Sequence, residues 1–464
     1  MKKKIKSIWS TRINKKTSSL FQKVGSSIEV DKRLFKEDID GSIAHVEMLC
    51  KQKIISFKIK NKIIWGLKKI ENEIKKKKFI FRTEYEDIHM NIEKRLYDII
   101  GEDAGFMHSA RSRNDQVLTD LKLWMKKSTI ELIEVLKNLN KHFVNLAEKN
   151  VYTIMPGFTH LKNAQPISLG HYLLAYVEMF DRDLNRFNYN LNNLNESPLG
   201  VGALSGTSFN IDRKFTAKKL KFKKISNNSI DTVSDRDFAL DFLFSCATCS
   251  MHISRLSEEF IIWNSDAFNF ISLKDSLVTG SSMMPQKKNP DPLEYLRGKS
   301  GNAYGNLFSM FTILKGLPLS YFKDLQDDKN LIFKSFDDLK NSILILSEII
   351  KNISFNKKKM FQLASIGYIT STDLAEHIVQ KLKIPFRKSY KITAKIVNYA
   401  EKNHKTLDKL SIKEIKNIEK KLDSDVLKIL NIENSIKSKK SYGGTSFENV
   451  NRMIKKYKKG INVK

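Results

Sequence analysis

The 464 residues read as an all-α protein built on long helices. Three observations carry that reading. Punctuation is sparse: only 19 Gly and 8 Pro serve the whole chain, so elements must be long and turns few. Apolar residues recur at helical spacing. Leu132, Leu136, Leu139, Phe143 and Leu146 step by 4-3-4-3, and Leu339, Ile343, Leu346, Ile350 and Ile353 repeat the pattern. Such stripes form the seam of a helix bundle. Finally, the chain has no βαβ alternation, no glycine-rich phosphate loop and no repeat of fixed period.

Taken in order, residues 120–150, 170–195, 235–268 and 335–355 are expected as long helices. All eight Pro lie at or after Pro156 and mark the loops between them. The pattern suggests three parts: a helical N-terminal domain over 1–110, a long-helix bundle over 111–361, and a small helical C-terminal domain over 362–464.

Composition narrows the function. Lys plus Arg number 82 against 51 Asp plus Glu, a formal net charge of +31. That excess suits an anionic substrate or nucleic acid. However, the runs at 75–78 and 357–359 sit in helix-forming stretches without interleaved aromatics, so a solvated surface is expected and no nucleic-acid partner. Three Cys argue against a disulfide framework and for a reducing, cytoplasmic setting. Cys246 and Cys249 lie in an apolar helical run with no second Cys or His pair, so they read as buried helix positions. The basic N-terminus lacks the apolar core of a signal peptide, and no run of about 18 apolar residues suggests a membrane span.

Four polar islands separate the helices: 108–116, 155–166, 280–295 and 321–329, with a weaker one at 24–34. Each is rich in hydroxyls, amides and cations, and each borders a long apolar stripe. Loops at the ends of rigid elements are where chemistry concentrates. Taken singly, His160 is a satisfied polar residue, Ser281 a turn or cap residue, and Lys287 a solvated cation. Together they form a set. Glu294 can orient an imidazole and raise its basicity. Ser281 sits on a glycine-led loop whose N–H groups, with Lys287, can stabilise an alkoxide. Lys287, Asn289, Ser112, Asn114 and Thr159 supply donors for carboxylates. No Cys, His or Asp set has metal-ligand spacing, so neither metal nor cofactor is expected. These parts suit removal of a proton beside a carboxylate and protonation of a leaving group, a β-elimination.

The run Gly280-Ser281-Ser282-Met283-Met284-Pro285-Gln286-Lys287-Lys288-Asn289-Pro290 resembles the signature of the fumarase/aspartase superfamily, close to G-S-S-x-M-P-x-K-x-N-P. Within it the chain is most similar to the argininosuccinate lyases. Arg111-Ser112-Arg113-Asn114-Asp115-Gln116, Ser197-Pro198-Leu199-Gly200, Val233-Ser234-Asp235-Arg236-Asp237 and Asp324-Leu325-Gln326-Asp327-Asp328-Lys329 carry that likeness, with Gly367-Tyr368, Thr372-Asp373-Leu374-Ala375 and Pro385-Phe386-Arg387. It spans residues 9–445. The resemblance implies cleavage of argininosuccinate to arginine and fumarate, and a homotetramer on a twenty-helix central bundle whose active sites are each shared by three subunits. It implies Ser281 as base and His160 as acid on the guanidino leaving group, with Glu294 behind it; sequence leaves the base and acid labels exchangeable. Ser27, Asn114, Thr159, Tyr321, Gln326 and Lys329 match substrate-binding positions, and Lys287 and Asn289 match loop residues that hold the succinyl carboxylates. The alternative is another fumarate-releasing lyase of the superfamily, an adenylosuccinate lyase or aspartase. A non-enzymatic crystallin-like or nucleic-acid-binding role is opposed by the retained Ser281, His160 and Glu294.

The chain departs from the family pattern at several points. An N-terminal W-G-G-R-F becomes Trp9-Ser10-Thr11-Arg12-Ile13. The glycine before Arg111 is Ala110, which is strained if that position has positive φ. Lys162 and Asn163 replace Gln and Arg, Phe322 follows Tyr321 where Asn is usual, and Lys388-Ser389-Tyr390-Lys391 lacks a Glu and two His. None removes a residue assigned to chemistry.

Overall fold

A computed structural model describes residues 18–462; the altered turn at 9–13 lies outside the described residues. The expected helices form. The ones that matter here are α1 (Phe35–Lys51), α2 (Phe57–Lys75), α3 (Ile88–Ile100), α4 (Arg113–Glu148), α5 (Leu169–Asn193), α6 (Asp237–Asn264), α7 (Asp291–Leu314), α8 (Asp328–Asn352), α9 (Ser371–Leu382) and α10 (Phe386–Lys402). At 1.5 Å per residue the 36-residue α4 is roughly 54 Å long. Its stripe is buried at Leu132, Leu136, Leu139 and Phe143, as are Leu339, Ile343, Leu346 and Ile350 on α8 and Ile353 just after it. Cys246 and Cys249 are buried in α6, as expected, and neither forms a disulfide.

Packing divides the described residues into two compact units. The first gathers 18–133, 185–247 and 301–338; the second gathers 134–184, 248–300 and 339–462. In the first unit, Trp124 of α4 packs on Phe333 and Phe336 of α8 with centroids 4.4 and 5.3 Å apart. Asn190 of α5 donates to Ser245 Oγ of α6 (2.7 Å). An N-terminal apolar cluster runs from Ile28 through Ile39, Leu67 and Leu96 to Met107. In the second unit, Phe143 of α4 meets Phe180 of α5 at 5.7 Å, and Tyr172 meets Trp263 of α6 at 4.6 Å. The buried His252–Asp183 pair (2.7 Å) joins α6 to α5. A separate cluster around Leu374, Ile396, Leu407 and Leu430 forms the core of the C-terminal segment. There Asp373 accepts from Ser435 Oγ (2.6 Å) and pairs with Lys439 (2.8 Å), tying α9 to the end of the chain.

The structure corrects one expectation. Residues 155–166 are not a loop. They lie in a two-stranded antiparallel hairpin, β1 (Ile154–Thr159) and β2 (Lys162–Ser168), with Pro156 opposite Pro166 and a bulge at 157/158. Residues 280–289 are likewise not wholly irregular: β3 (Thr279–Gly280) pairs with β4 (Lys288–Asn289). Lys75 to Lys78 and Lys357 and Lys358 face solvent, as the composition suggested. No helix among the described residues is long and apolar enough to cross a membrane.

Gly66 sets how closely α2 and α3 approach. A Cβ there would lie 2.5 Å from Leu96 Cδ1 and 3.2 Å from Ile100 Cγ2. Alanine gains about 1 kcal/mol of helix propensity, whereas overpacking costs about 1–3 kcal/mol. The clash wins, so Gly66→Ala lowers the midpoint of thermal unfolding. A raised midpoint would mean that Leu96 swings aside without loss.

Candidate active site

In the first unit the site begins at a turn. Glu86 has φ 66° and ψ −60° and Asp87 N donates to Tyr85 O (2.7 Å), a γ-turn of the rarer, strained hand. Such a residue costs on the order of 1–3 kcal/mol. The turn aims one carbonyl at three donors: Ser26 Oγ (2.7 Å), Ser27 N (2.9 Å) and Ile28 N (3.1 Å). It also places Asp87, whose side chain caps α3 by accepting from Met90 N (2.8 Å) and pairs closely with Arg113.

Ser27 is thereby buried, and its hydroxyl donates to Asp31 Oδ2 (2.5 Å). Asp31 Oδ1 accepts from Ile88 N (3.2 Å). Burial pushes the Asp31 carboxyl up to about 6, although His89 and Ser27 pull the other way. Gln326 donates to Gly25 O (3.1 Å), beside Lys323, which reaches the same carbonyl (2.9 Å) and Glu86 (2.7 Å). The first unit therefore brings Ser27 and Gln326 to opposite ends of one short segment, 25–27.

Lys329 is buried at the start of α8. Asp328 accepts from its Nζ (2.8 Å) and from Arg236 Nε (2.6 Å). Burial alone would raise Asp328, but these two cations outweigh it and hold the carboxyl below its ordinary range. Tyr321 is half-buried, and burial lifts its hydroxyl to about 12, so it stays a donor.

Asn114 sits in the first turn of α4 and donates to Ala203 O (3.2 Å). Its neighbour Asp115 is the anchor. Asp115 accepts from Ser112 N (3.0 Å), Gly200 N (3.0 Å) and Gly202 N (2.9 Å). Only glycine fits at 202: φ is +68° and a Cβ would lie 2.7 Å from Gly206 O. Ala110 does have positive φ, at 59°, so the expected strain is present, on the order of 1–2 kcal/mol.

In the second unit, His160 and Leu161 are the two residues of the β1–β2 turn, with φ 53° and 58°. That is the backbone a two-residue hairpin of this twist requires, normally met by Asn-Gly. Thr159, His160 and Leu161 are exposed at the tip. Asn163, where the family pattern has Arg, donates instead to Leu363 O (2.9 Å) and Ile366 O (3.3 Å). A cavity of about 390 Å³ lies under the hairpin, lined by Thr159, Phe158, Tyr172, Glu259, Trp263 and Phe268.

The Ser281 loop is held at its neck. Thr279 pairs with Asn289 and Gly280 with Lys288; Thr279 Oγ1 donates to Asp291 (2.5 Å) and Lys288 bonds Asp275 (2.6 Å). Ser281 Oγ accepts from Met283 N (3.3 Å) and Met284 N (3.0 Å), so its oxygen already faces two amides. Residues 282–288 and Glu294 are exposed. Among the described residues no hydrogen bond or ion pair joins Glu294 to His160.

The sequence did not single out Asp31, Asp87, Asp115, Arg113, Arg236 or Asp328 as site residues. A carboxylate inside an island rich in cations was the available signal for Asp115 and Asp328.

Because the Asp31 carboxyl is raised when folded, its contribution to stability is full below about pH 4 and fades as pH rises through about 6. Asp31→Asn cannot titrate. The difference in melting temperature, variant minus wild type, should therefore grow between pH 4 and pH 7; a flat difference would show that Asp31 ionises normally.

The comparisons agree with this geometry. A family profile described as "Lyase" matches residues 11–305, and one described as "Argininosuccinate lyase C-terminal" matches 368–437. A curated argininosuccinate lyase of Pelagibacter ubique is 66% identical over 97% of this chain and 98% of its own. One from Nitratiruptor is 47% identical over the same shares. Among solved structures, EDDS lyase in complex with formate superposes with a TM-score of 0.83 at 25% identity, covering 96% of this chain and 90% of that one. Class II fumarase from Schistosoma mansoni, at 18% identity, shares the fold with a TM-score of 0.73 over 86% and 89% of the two chains. With islands, fold and near full-length identity in agreement, the chain belongs to the argininosuccinate lyase family.

Proposed function

We propose that the chain cleaves argininosuccinate to arginine and fumarate by β-elimination. The base removes a proton from the succinyl carbon beside a carboxylate, and the electron pair is held on that carboxylate. The carbon–nitrogen bond then breaks, the guanidino nitrogen takes a proton, and fumarate remains. Ser281 is assigned as base and His160 as acid. Lys287 and Asn289 hold the succinyl carboxylates, and Ser27, Asn114, Thr159, Tyr321, Gln326 and Lys329 bind the rest of the substrate. The observation that carries this reading is membership of the family along nearly the whole chain; the motif resemblance in this sequence supports the residue roles. The amides at Ser281 Oγ support its role, since donors already aimed at that oxygen stabilise charge there.

The assembly in this reading is a cytoplasmic homotetramer on a twenty-helix bundle, each active site shared by three subunits. The exposed His160 tip and Ser281 loop support it, because such groups have substrate-shielding neighbours to gain from other chains. Glu294 is then expected to orient His160 only in the assembled site. The separate apolar clusters near 28–107 and 374–430 support domains at 1–110 and 362–464 around a central 111–361. Neither metal nor cofactor, and no nucleic-acid or membrane partner, enters the reading.

The first test follows fumarate absorbance with argininosuccinate, adenylosuccinate and aspartate as parallel substrates. Release from argininosuccinate alone is expected; release only from another substrate would reject the assignment. Ser281→Ala should lower kcat by orders of magnitude with the oligomer intact, and near-normal turnover would remove Ser281 from the chemistry. Mixing Ser281→Ala with His160→Ala protein should restore part of the activity through subunit exchange. No recovery despite demonstrated exchange would rule out the shared site.

A further inference from the structure

Behind the Asn114 turn lies a polar cluster that the proposed chemistry does not use. Asp38 of α1, His89 of α3 and Asp120 of α4 are all buried, each with a ligand-type atom within 4.8 Å of the others. Asp38 Oδ1 accepts from His89 Nδ1 (2.9 Å) and from Gln116 Nε2 (2.5 Å). His89 Nδ1 also lies 3.4 Å from Asp120 Oδ2. Asp38 Oδ2 and Asp120 Oδ2 are buried and receive no hydrogen bond from a protein donor. Arg111 lies in the same setting, fully buried, with NH1 donating to Ser42 Oγ (2.9 Å). Glu37 of α1 adds a further charge, itself paired with Lys127 (2.6 Å).

Two neighbouring carboxylates with unmatched oxygens cannot both stay ionised in a dry interior. We infer that Asp120 is a neutral carboxylic acid whose proton bridges to Asp38, and that this shared proton positions the first turn of α4 and hence Asn114. Asp38 is then the negative partner of Arg111 and of the His89 Nδ1 contact, and Asp120 is neutral. His89 presents Nδ1–H to the carboxylates. Burial first, and the Asp38 charge second, push Asp120 far above the carboxylate range against the pull of Arg111. Asp38 is held at about 2, because His89 and Arg111 outweigh its burial. The same donor set would suit a divalent cation. Against that stand the engagement of His89 Nδ1 as a donor and the guanidinium beside the cluster.

The link to Asn114 rests on the proposed substrate role of that residue; the protonation does not. The two are tested separately. Asp120→Asn keeps a neutral donor to Asp38, Asp120→Ala removes it, and Asp38→Asn strips Arg111 of its counter-charge. Thermal unfolding without substrate should rank Asp120→Asn nearest wild type and both others well below it. In wild-type protein at pH 8, infrared spectra should contain the carbonyl band of a protonated carboxylic acid, lost in Asp120→Asn. With argininosuccinate, Asp120→Asn should keep KM within about threefold, whereas Asp120→Ala raises KM more than it lowers kcat. The inference is overturned if Asp120→Asn is as damaged as Asp120→Ala, if no protonated-acid band exists at pH 8, or if elemental analysis finds one divalent metal per chain that Asp120→Asn loses. Should the lyase activity itself be absent, the stability ranking and the infrared band still decide the protonation.

Discussion

Burying a carboxylate costs several kcal/mol unless fixed donors or a proton meet it. The first unit places Asp31, Asp38, Asp115, Asp120 and Asp328 in such surroundings, and much of its local geometry follows from meeting that cost. Asp115 takes three backbone N–H groups and so fixes where α4 starts and where the 200–202 turn lies. Asp328 takes Arg236 and Lys329 and fixes the head of α8. Asp31 takes Ser27 and the first amide of α3. Asn114, Gln326 and Lys329 stand one or two residues from Asp115 or Asp328, which is why their positions are narrow.

Some of the strained backbone lies near groups proposed for substrate or chemistry. Glu86, Ala110, His160 and Leu161 all have positive φ without being glycine. Glu86 O accepts from Ser27 N, and His160 and Leu161 follow Thr159. A flexible residue at these places would relax locally and lose the aim of the neighbouring carbonyl or side chain. The surrounding bonds over-determine the strained backbone, as the three donors on the Glu86 carbonyl do.

Much of this was legible in the sequence. The 4-3-4-3 stripes gave the long helices because one buried face of a helix must be apolar. The islands marked the candidate site residues, because hydroxyls, amides and cations are dense there beside rigid apolar helices. The β1–β2 hairpin was not legible. Its turn is His160-Leu161 rather than Asn-Gly, and Pro156 faces Pro166, so neither turn chemistry nor alternation announced strands. The buried aspartates were equally silent. A single Asp in a helical stretch reads as a solvated residue, and only the fold reveals that Asp38 and Asp120, 82 positions apart, meet. The two packing units were beyond reach for the same reason, since each is assembled from three separate segments.

The neck of the Ser281 loop carries a consequence for how this segment tolerates changes in length. Two paired positions, Thr279 with Asn289 and Gly280 with Lys288, clamp the segment while Met283 at its tip is 86% exposed. An inserted residue near the tip would lengthen an arm already in solvent and leave the clamp in register. An inserted residue within the clamp would exchange the faces of Lys288 and Asn289, because side chains alternate along a strand. For the fold, the tip therefore tolerates added length better than the clamp does, although an insertion between Ser281 and Met284 would also break the amide contacts to Ser281 Oγ.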